Sequence, residues 1–185
     1  MKKTIKELSI TIILLAVLFG TGLNVPLAGF VQGLVLKTGL LSPSIDTPET
    51  DKNFNHELLL RNEEGELVDV ADLRGKTLFV NFWASWCPPC IAEMPEIQDL
   101  YKNSSEDVAF LIISVDEDFK KALKFKEKKG YAFPVYRLAS RLPAELRGNS
   151  IPRTYVISPE GNIAYEHSGM ASYGSDKFMG FVNSL

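Results

Sequence analysis

The sequence predicts an α/β domain built on a mixed β-sheet. Short apolar segments alternate with segments of helical periodicity through the middle of the chain, and two further apolar segments flank a turn near the C-terminus. A length of 185 residues suits one domain with an appendage. The apolar content of 45% provides a core and, with 23% charged residues, excludes a disordered chain, a coiled coil and a polytopic membrane protein.

The domain begins with a predicted hairpin, in which residues 54–60 and 67–70 flank the turn-like residues 62–65. A short apolar strand follows at 77–82. From residue 91 to about 103, apolar side chains recur at helical spacing. A buried strand is therefore expected to lead directly into an amphipathic helix.

The second half of the domain continues this alternation. Residues 108–115 form an apolar strand of the kind buried in a parallel sheet, and 119–129 form a helix that Gly130 ends with a left-handed cap. The remaining predicted elements are a strand at 133–137, a helical turn at 143–146, a hairpin of strands 154–157 and 163–166, and a helix at 175–182. The paired strands near the end make the predicted sheet mixed.

Residues 1–40 are predicted to be a membrane anchor or a signal segment. Three lysines come first, and no charged residue stands between Glu7 and Lys37. An uncleaved anchor is favoured because Pro26 occupies a position where a cleavage site requires a small residue. A cleaved signal peptide is the alternative. In both cases the basic start stays in the cytoplasm and the rest of the chain is exported.

The charge distribution separates the N-terminus from the domain. Residues 41–52 are rich in Pro, Ser, Thr and acids and form a predicted linker to a domain at 53–185. The net charge of −3 conceals +3 on residues 1–45 and −6 on residues 46–185. An acidic domain of this kind argues against a nucleic-acid partner.

The two cysteines of the chain, Cys87 and Cys90, enclose two prolines at the junction of the predicted strand and helix. Two cysteines are too few for a disulfide-stapled scaffold or a thiolate zinc site. A cysteine at a helix N-cap faces free N–H groups and the positive end of the helix dipole, which favour the thiolate. Prolines are tolerated in the first turn because N–H groups there have no helical partner. We therefore predict Cys87 as the attacking thiolate and Cys90 as the resolving thiol, with an inert pair as the alternative.

The cysteine pair belongs to a longer motif. It consists of Val80-Asn-Phe-Trp-Ala-Ser-Trp-Cys-Pro-Pro-Cys90, preceded by Leu73-Arg-Gly-Lys76 and followed by Glu93-Met-Pro95. This motif resembles the TlpA/ResA branch of the thioredoxin superfamily, and the resemblance covers about residues 53–185. It implies a thioredoxin-like fold with an N-terminal β-hairpin and a helix–strand insertion between residues 116 and 152. It also implies membrane-tethered thiol-disulfide exchange outside the cytoplasm, commonly reductive and often linked to cytochrome c maturation.

The resemblance further implies roles for single residues. Ile151 and Pro152 match the cis-proline loop, in which the proline lies beside the disulfide and the Ile151 backbone pairs with an extended substrate. Trp86 completes the predicted substrate-binding set. Thioredoxin places a buried acid six residues before its first cysteine, but that position here is Asn81, so another base is required. Glu93 matches an acid that ResA-like proteins keep near the buried thiol; complementing the helix dipole is its alternative role.

The sequence thus predicts a protein-disulfide reductase of the bacterial inner membrane, single-pass, with its catalytic domain facing the periplasm or the cell exterior. Its expected partners are protein disulfides and a membrane thiol electron donor. No cofactor, metal or nucleic acid is expected, and the protein is expected to be a monomer. Two alternatives stay open: a disulfide oxidase working in the opposite direction, and a copper-binding chaperone that uses Cys87, Cys90 and His167.

Overall fold

The computed structural model describes residues 52–185, together with the isolated residues 7, 32 and 33. The predicted anchor at 1–40 and the linker at 41–52 lie outside the described residues, except at isolated positions. Within the part of the chain that is described, no helix combines the length and the apolar character needed to cross a membrane. The anchor and the linker therefore stay predictions.

The described residues form seven strands and three α-helices, which confirms the predicted α/β class. In chain order they are β1 (Leu59–Arg61), β2 (Leu67–Asp69), β3 (Thr77–Trp83), α1 (Pro88–Asn103), β4 (Val108–Ser114), α2 (Phe119–Lys129), β5 (Val135–Leu138), β6 (Arg153–Ile157), β7 (Ile163–Ser168) and α3 (Asp176–Ser184). Short 3-10 helices occur at Val70–Leu73 and Ala144–Leu146.

The strands of the described chain form one mixed sheet in the order β2-β1-β5-β4-β3-β6-β7. β3 pairs in parallel with β4 and antiparallel with β6. Every residue of β3 is buried, as its apolar sequence predicts. The chain leaves β3 at the sheet edge where β4 also ends and β6 begins, and the cysteines follow immediately.

Alternate residues of β3 face two apolar cores, one on each side of the sheet. Phe79 and Trp83 belong to the core that α1, α2 and α3 cover. Leu78, Val80 and Phe82 belong to the second core, which the segment before β1 and the loop after β5 complete. Packing against both cores fixes the strand from which the cysteine loop starts.

The first strand is shorter than predicted. Phe54 and Leu58 are buried, but residues 54–58 lie outside the strands, and β1 begins only at Leu59. His56 has a positive φ of 66°, which an extended strand does not accommodate. The apolar pattern that suggested a strand therefore reflects core packing by an irregular segment.

The strand predicted at 133–137 also differs from the structure, because β5 begins two residues later, at Val135. Pro134 has no N–H to donate to a strand ladder. Phe133 is buried in the core instead and stacks with Tyr131. The other predicted elements differ from the observed ones by at most a few residues at their ends.

Candidate active site

The cysteines lie where the chain passes from β3 to α1. Cys87 is the N-cap of α1, and Pro88 and Pro89 occupy the first two helical positions. The Cys90 N–H donates a hydrogen bond of 3.3 Å to Cys87 Sγ. The two cysteines form a disulfide, with 5.3 Å between their Cα atoms. The start of the helix thus directs a backbone donor and its positive end at the Cys87 sulfur.

The two cysteines differ in accessibility. Cys90 is fully buried, whereas Cys87 keeps 4% of its surface exposed. Trp86, the residue before Cys87, is 57% exposed and stands out as a large apolar side chain at the surface. This arrangement suits attack at Cys87 from outside and resolution by Cys90 from within. The two roles, and that of Trp86 in substrate binding, stay predictions.

The peptide bond between Ile151 and Pro152 is cis. Arg153, the first residue of β6, pairs with Phe82 of β3, so Pro152 lies beyond the sheet edge that carries the cysteines. The Gly169 N–H donates a hydrogen bond of 2.9 Å to the Pro152 carbonyl. The structure therefore places a cis-proline loop at this edge, as the sequence predicts. Substrate binding by Ile151 and Pro152 stays a prediction.

Glu93 of α1 is fully buried. Its Oε1 accepts a hydrogen bond of 2.8 Å from Asn81 Nδ2, and its Oε2 accepts one of 3.4 Å from the Ala171 N–H. Burial raises the pKa of Glu93 to about 8, although both hydrogen bonds oppose the rise. The carboxyl therefore has a proton affinity close to that of a thiol, whose ordinary pKa is about 8.5.

Asn81 links Glu93 to the neighbouring strand β6. Its Nδ2 also donates to Thr154 Oγ1 at 2.9 Å, and the Tyr173 hydroxyl donates to the same oxygen at 2.7 Å. All four side chains are buried. From the sequence, Asn81 stands out only as the residue that occupies the place of an acid, and neither Thr154 nor Tyr173 is predicted as a site residue. The signal that could have paired two of them is strand register, because Asn81 lies directly opposite Thr154.

His167 lies on β7, where it also pairs with Thr154 and stacks on Tyr165 with 6.2 Å between ring centroids. Burial lowers the pKa of His167. Among residues 52–185 and the three isolated positions, no group of three or more His, Cys, Asp or Glu side chains is arranged to hold a metal ion. No specific observation therefore favours the copper-binding alternative.

A disulfide that closes on the first turn of its own helix, with a cis-proline loop at the same sheet edge, places the molecule among the thiol-disulfide oxidoreductases of thioredoxin-like fold. The Redoxin family profile matches residues 47–177. The chain belongs to this family, and within it to the ResA/TlpA-like thioredoxin branch.

Individual relatives agree with this assignment. The chain is 30% identical to the thiol-disulfide oxidoreductase ResA of Halalkalibacterium halodurans over 127 residues, which cover 67% of this chain and 72% of that protein. It is 29% identical to ResA of Geobacillus thermodenitrificans over 167 residues, 88% of this chain and 87% of the relative. The crystal structure of StoA from Bacillus subtilis superposes with a TM-score of 0.54 at 24% identity, covering 68% of this chain and 93% of StoA, which supports the fold.

Proposed function

We propose that this protein is a protein-disulfide reductase that acts outside the cytoplasm through the dithiol of Cys87 and Cys90. The observation that supports the reductive direction of exchange is that few hydrogen bonds reach the Cys87 sulfur. Within the described residues, the Cys90 N–H is the single donor that reaches it. Pro88 and Pro89, which fill the two intervening positions, have no N–H to offer.

The number of donors matters because a dithiol is a strong oxidant when its reduced form, with the thiolate, is stabilised. A hydrogen bond to a charged group contributes about 1.5–3 kcal/mol. For a two-electron couple, about 1.4 kcal/mol corresponds to about 30 mV of reduction potential. A site that withholds donors from Cys87 therefore has a more negative potential and gives up its electrons more readily.

The exchange proceeds in two balanced steps. The Cys87 thiolate attacks one sulfur of a protein disulfide, the bond between the substrate sulfurs breaks, and the displaced sulfur leaves as a thiolate that takes up a proton. Cys90 then passes its proton to Glu93 and attacks Cys87 Sγ, which releases the second substrate thiolate. Two electrons have moved to the substrate, and the disulfide between Cys87 and Cys90 remains.

The proposed setting is the bacterial inner membrane, with residues 1–40 as a single-pass anchor and the domain on the periplasmic or exterior side. A reductant in an oxidising compartment must be recharged, because no reduced thiol pool is maintained there. A membrane thiol electron donor is therefore the second proposed partner. Cytochrome c maturation, which the resemblance of the cysteine motif implies, is the proposed pathway, and the protein is proposed to act as a monomer.

The direction is tested by equilibrating the purified protein with glutathione buffers and by measuring reduction of insulin disulfides. We expect a potential near that of thioredoxin, about −270 mV, and steady insulin reduction. A potential near about −120 mV would instead assign the protein to the oxidases. Tight stoichiometric copper binding by the reduced protein, without insulin reduction, would make it a copper chaperone.

A further inference from the structure

In the described chain, the loop that joins β3 to α1 is hydrogen-bonded to one side chain from outside it, Asp116. The Ser85 N–H donates to Asp116 Oδ2 at 2.9 Å, and the Ser85 hydroxyl donates to Oδ1 at 2.7 Å. In the described chain, these are the hydrogen bonds that reach residues 84–86 from elsewhere. Within the loop, the Cys87 N–H donates to the Ala84 carbonyl at 3.2 Å. Ala84 is packed in the apolar core, and the Asp116 carboxylate adds the hydrogen bonds that fix Ser85 in this turn.

Asp116 is itself firmly held. It follows β4, whose last residue, Ser114, pairs with Trp83 at the end of β3. The Ser114 hydroxyl donates to Asp116 Oδ2 at 2.9 Å, and the Asp116 N–H donates to Ser114 Oγ at 3.0 Å. With 9% of its surface exposed, Asp116 forms a rigid attachment point at the end of the neighbouring strand.

The residues next to Ser85 and Asp116 carry two exposed apolar side chains. Trp86, 57% exposed, follows Ser85, and Val115, 39% exposed, precedes Asp116. The Val115 N–H also donates to the Trp83 carbonyl at 2.9 Å. Apolar side chains exposed beside a reactive group are features of surfaces that bind protein partners. The hydrogen bonds between Ser85 and Asp116 thus tie together the two segments that carry these exposed side chains.

We propose that Asp116 is a positioning residue for protein substrates, which holds Ser85 so that Trp86 and Cys87 meet the substrate in a fixed arrangement. This inference rests on the proposed reductase function and deepens it. Asp116 touches no reacting atom. Its contribution belongs to the encounter with a folded or extended polypeptide, because a small disulfide needs only the Cys87 sulfur, whereas a polypeptide can also contact the exposed Trp86.

The test compares two substrates with the reduced enzyme. Asp116→Ala should lower kcat/KM for insulin roughly tenfold, mainly through a higher KM, because small displacements of a positioned group are costly. It should change the rate with hydroxyethyl disulfide by less than about twofold, since this small substrate needs only Cys87. Asp116→Asn, whose amide oxygen can still accept the Ser85 N–H, should recover most of the insulin activity.

A matched control is Asp69→Ala. Like Asp116, Asp69 accepts a hydrogen bond from a backbone N–H, that of Ala71 at 3.0 Å. It lies on β2, which is four strands away from β3 in the sheet. Its activity with both substrates should match the wild type. Should Asp116→Ala fail to fold, Ser85→Ala removes the hydroxyl hydrogen bond to Asp116 and should lower only the insulin rate, by roughly threefold.

The outcomes separate the two proposals. Equal losses with insulin and hydroxyethyl disulfide, or an Asp116→Asn variant as impaired as Asp116→Ala, would reduce Asp116 to a structural residue and overturn the inference. So would insulin activity that stays at the wild-type level in Asp116→Ala, or in Ser85→Ala where that variant is used. A wild-type protein that does not reduce insulin at all would overturn the proposed function, and this inference with it.

Discussion

Glu93 and Cys90 lie three residues apart on α1, a spacing that places two side chains on one face of a helix. A carboxyl with a pKa of about 8 is ionised in roughly one molecule in ten at pH 7. We therefore predict that the attack of Cys90 on the mixed disulfide accelerates as the pH rises towards 8. Glu93→Gln should slow this step by roughly 10²-fold at pH 7 and remove the inflection near pH 8 from its pH profile. With a chromogenic aromatic disulfide as substrate, attack by Cys87 releases one thionitrobenzoate and attack by Cys90 releases the second, so the rate of the second release measures this step.

The control for this prediction is Glu96→Gln on the same helix. Glu96 Oε2 accepts hydrogen bonds of 3.1 Å from both the Ser172 hydroxyl and the Gly174 N–H, so this variant also removes a charged acceptor. Its pH profile should match that of the wild type. If Glu93→Gln keeps the wild-type profile and rate, Glu93 serves packing and another group takes the proton from Cys90.

The prolines between the cysteines lead to a second prediction. An N-cap side chain accepts a hydrogen bond from the N–H of the second or third helical residue. Here the second residue, Pro89, has no N–H, and the third, Cys90, donates to Cys87 Sγ. Pro89→Ala restores a donor, which should stabilise the Cys87 thiolate and raise the reduction potential by about 30–60 mV. Equilibration with glutathione measures the shift.

Pro95→Ala is the matched change for comparison. It restores an N–H on the same helix, but that N–H faces the Ile91 carbonyl one turn back, away from the Cys87 sulfur. Its potential should stay within about 10 mV of the wild type. Equal shifts in the two variants would mean that helix rigidity, and not a missing donor, sets the potential.

Among the single residues of the site, the sequence predicted those whose roles depend on their neighbours in the chain. The N-cap role of Cys87 and the place of both prolines follow from positions next to one another in the chain, and so does the helical position of Glu93. The contacts of Asn81 with Thr154, and of Ser85 with Asp116, join residues 73 and 31 positions apart. Such pairs depend on which strands become neighbours, and hydrophobic periodicity carries no information on that choice.

Among the elements, α2 was predicted with its observed bounds because both of its ends carry local signals. Asp118 caps the first turn through a hydrogen bond of 3.1 Å from the Lys120 N–H, and Gly130 ends the helix at a φ of 69°. β1 was predicted poorly because its signal was apolar alternation alone. Buried residues in an irregular segment such as 54–58 produce the same pattern.

Two glycines, one that ends α2 and one inside α3, lead to stability predictions of opposite sign. Gly130→Ala should lower the free energy of unfolding by about 1 kcal/mol, because alanine resists a left-handed conformation. A Cβ atom at Gly130 would meet nothing within 4 Å, so the backbone alone accounts for the loss. Gly180→Ala, within α3 and equally free of contacts, should instead raise it by about 0.5–1 kcal/mol. Urea denaturation of both variants gives the comparison, and equal effects of the same sign would refute it.

For the molecule as a whole, the sheet explains why so few residues suffice for the chemistry. β3 and β4 end, and β6 begins, at one edge of the sheet, and each contributes one part of the site: the cysteine loop, Asp116 and the cis-proline loop. Two apolar cores hold β3 from both sides. The disulfide thus follows a strand that apolar cores hold on both faces.

This arrangement makes a covalent trap the decisive test on the full chain. Without Cys90, the mixed disulfide on Cys87 lacks the buried thiol that would resolve it, so Cys90→Ser should accumulate disulfide-linked partners in cells. They should run as higher-mass bands that a reductant collapses, and Cys87→Ser should show none, since Cys87, the more accessible of the two cysteines, is the attacking group. Apocytochromes c among the trapped proteins would support the proposed pathway. If Cys90→Ser traps no partner in cells where the intact protein is active, exchange does not proceed through Cys87 as proposed.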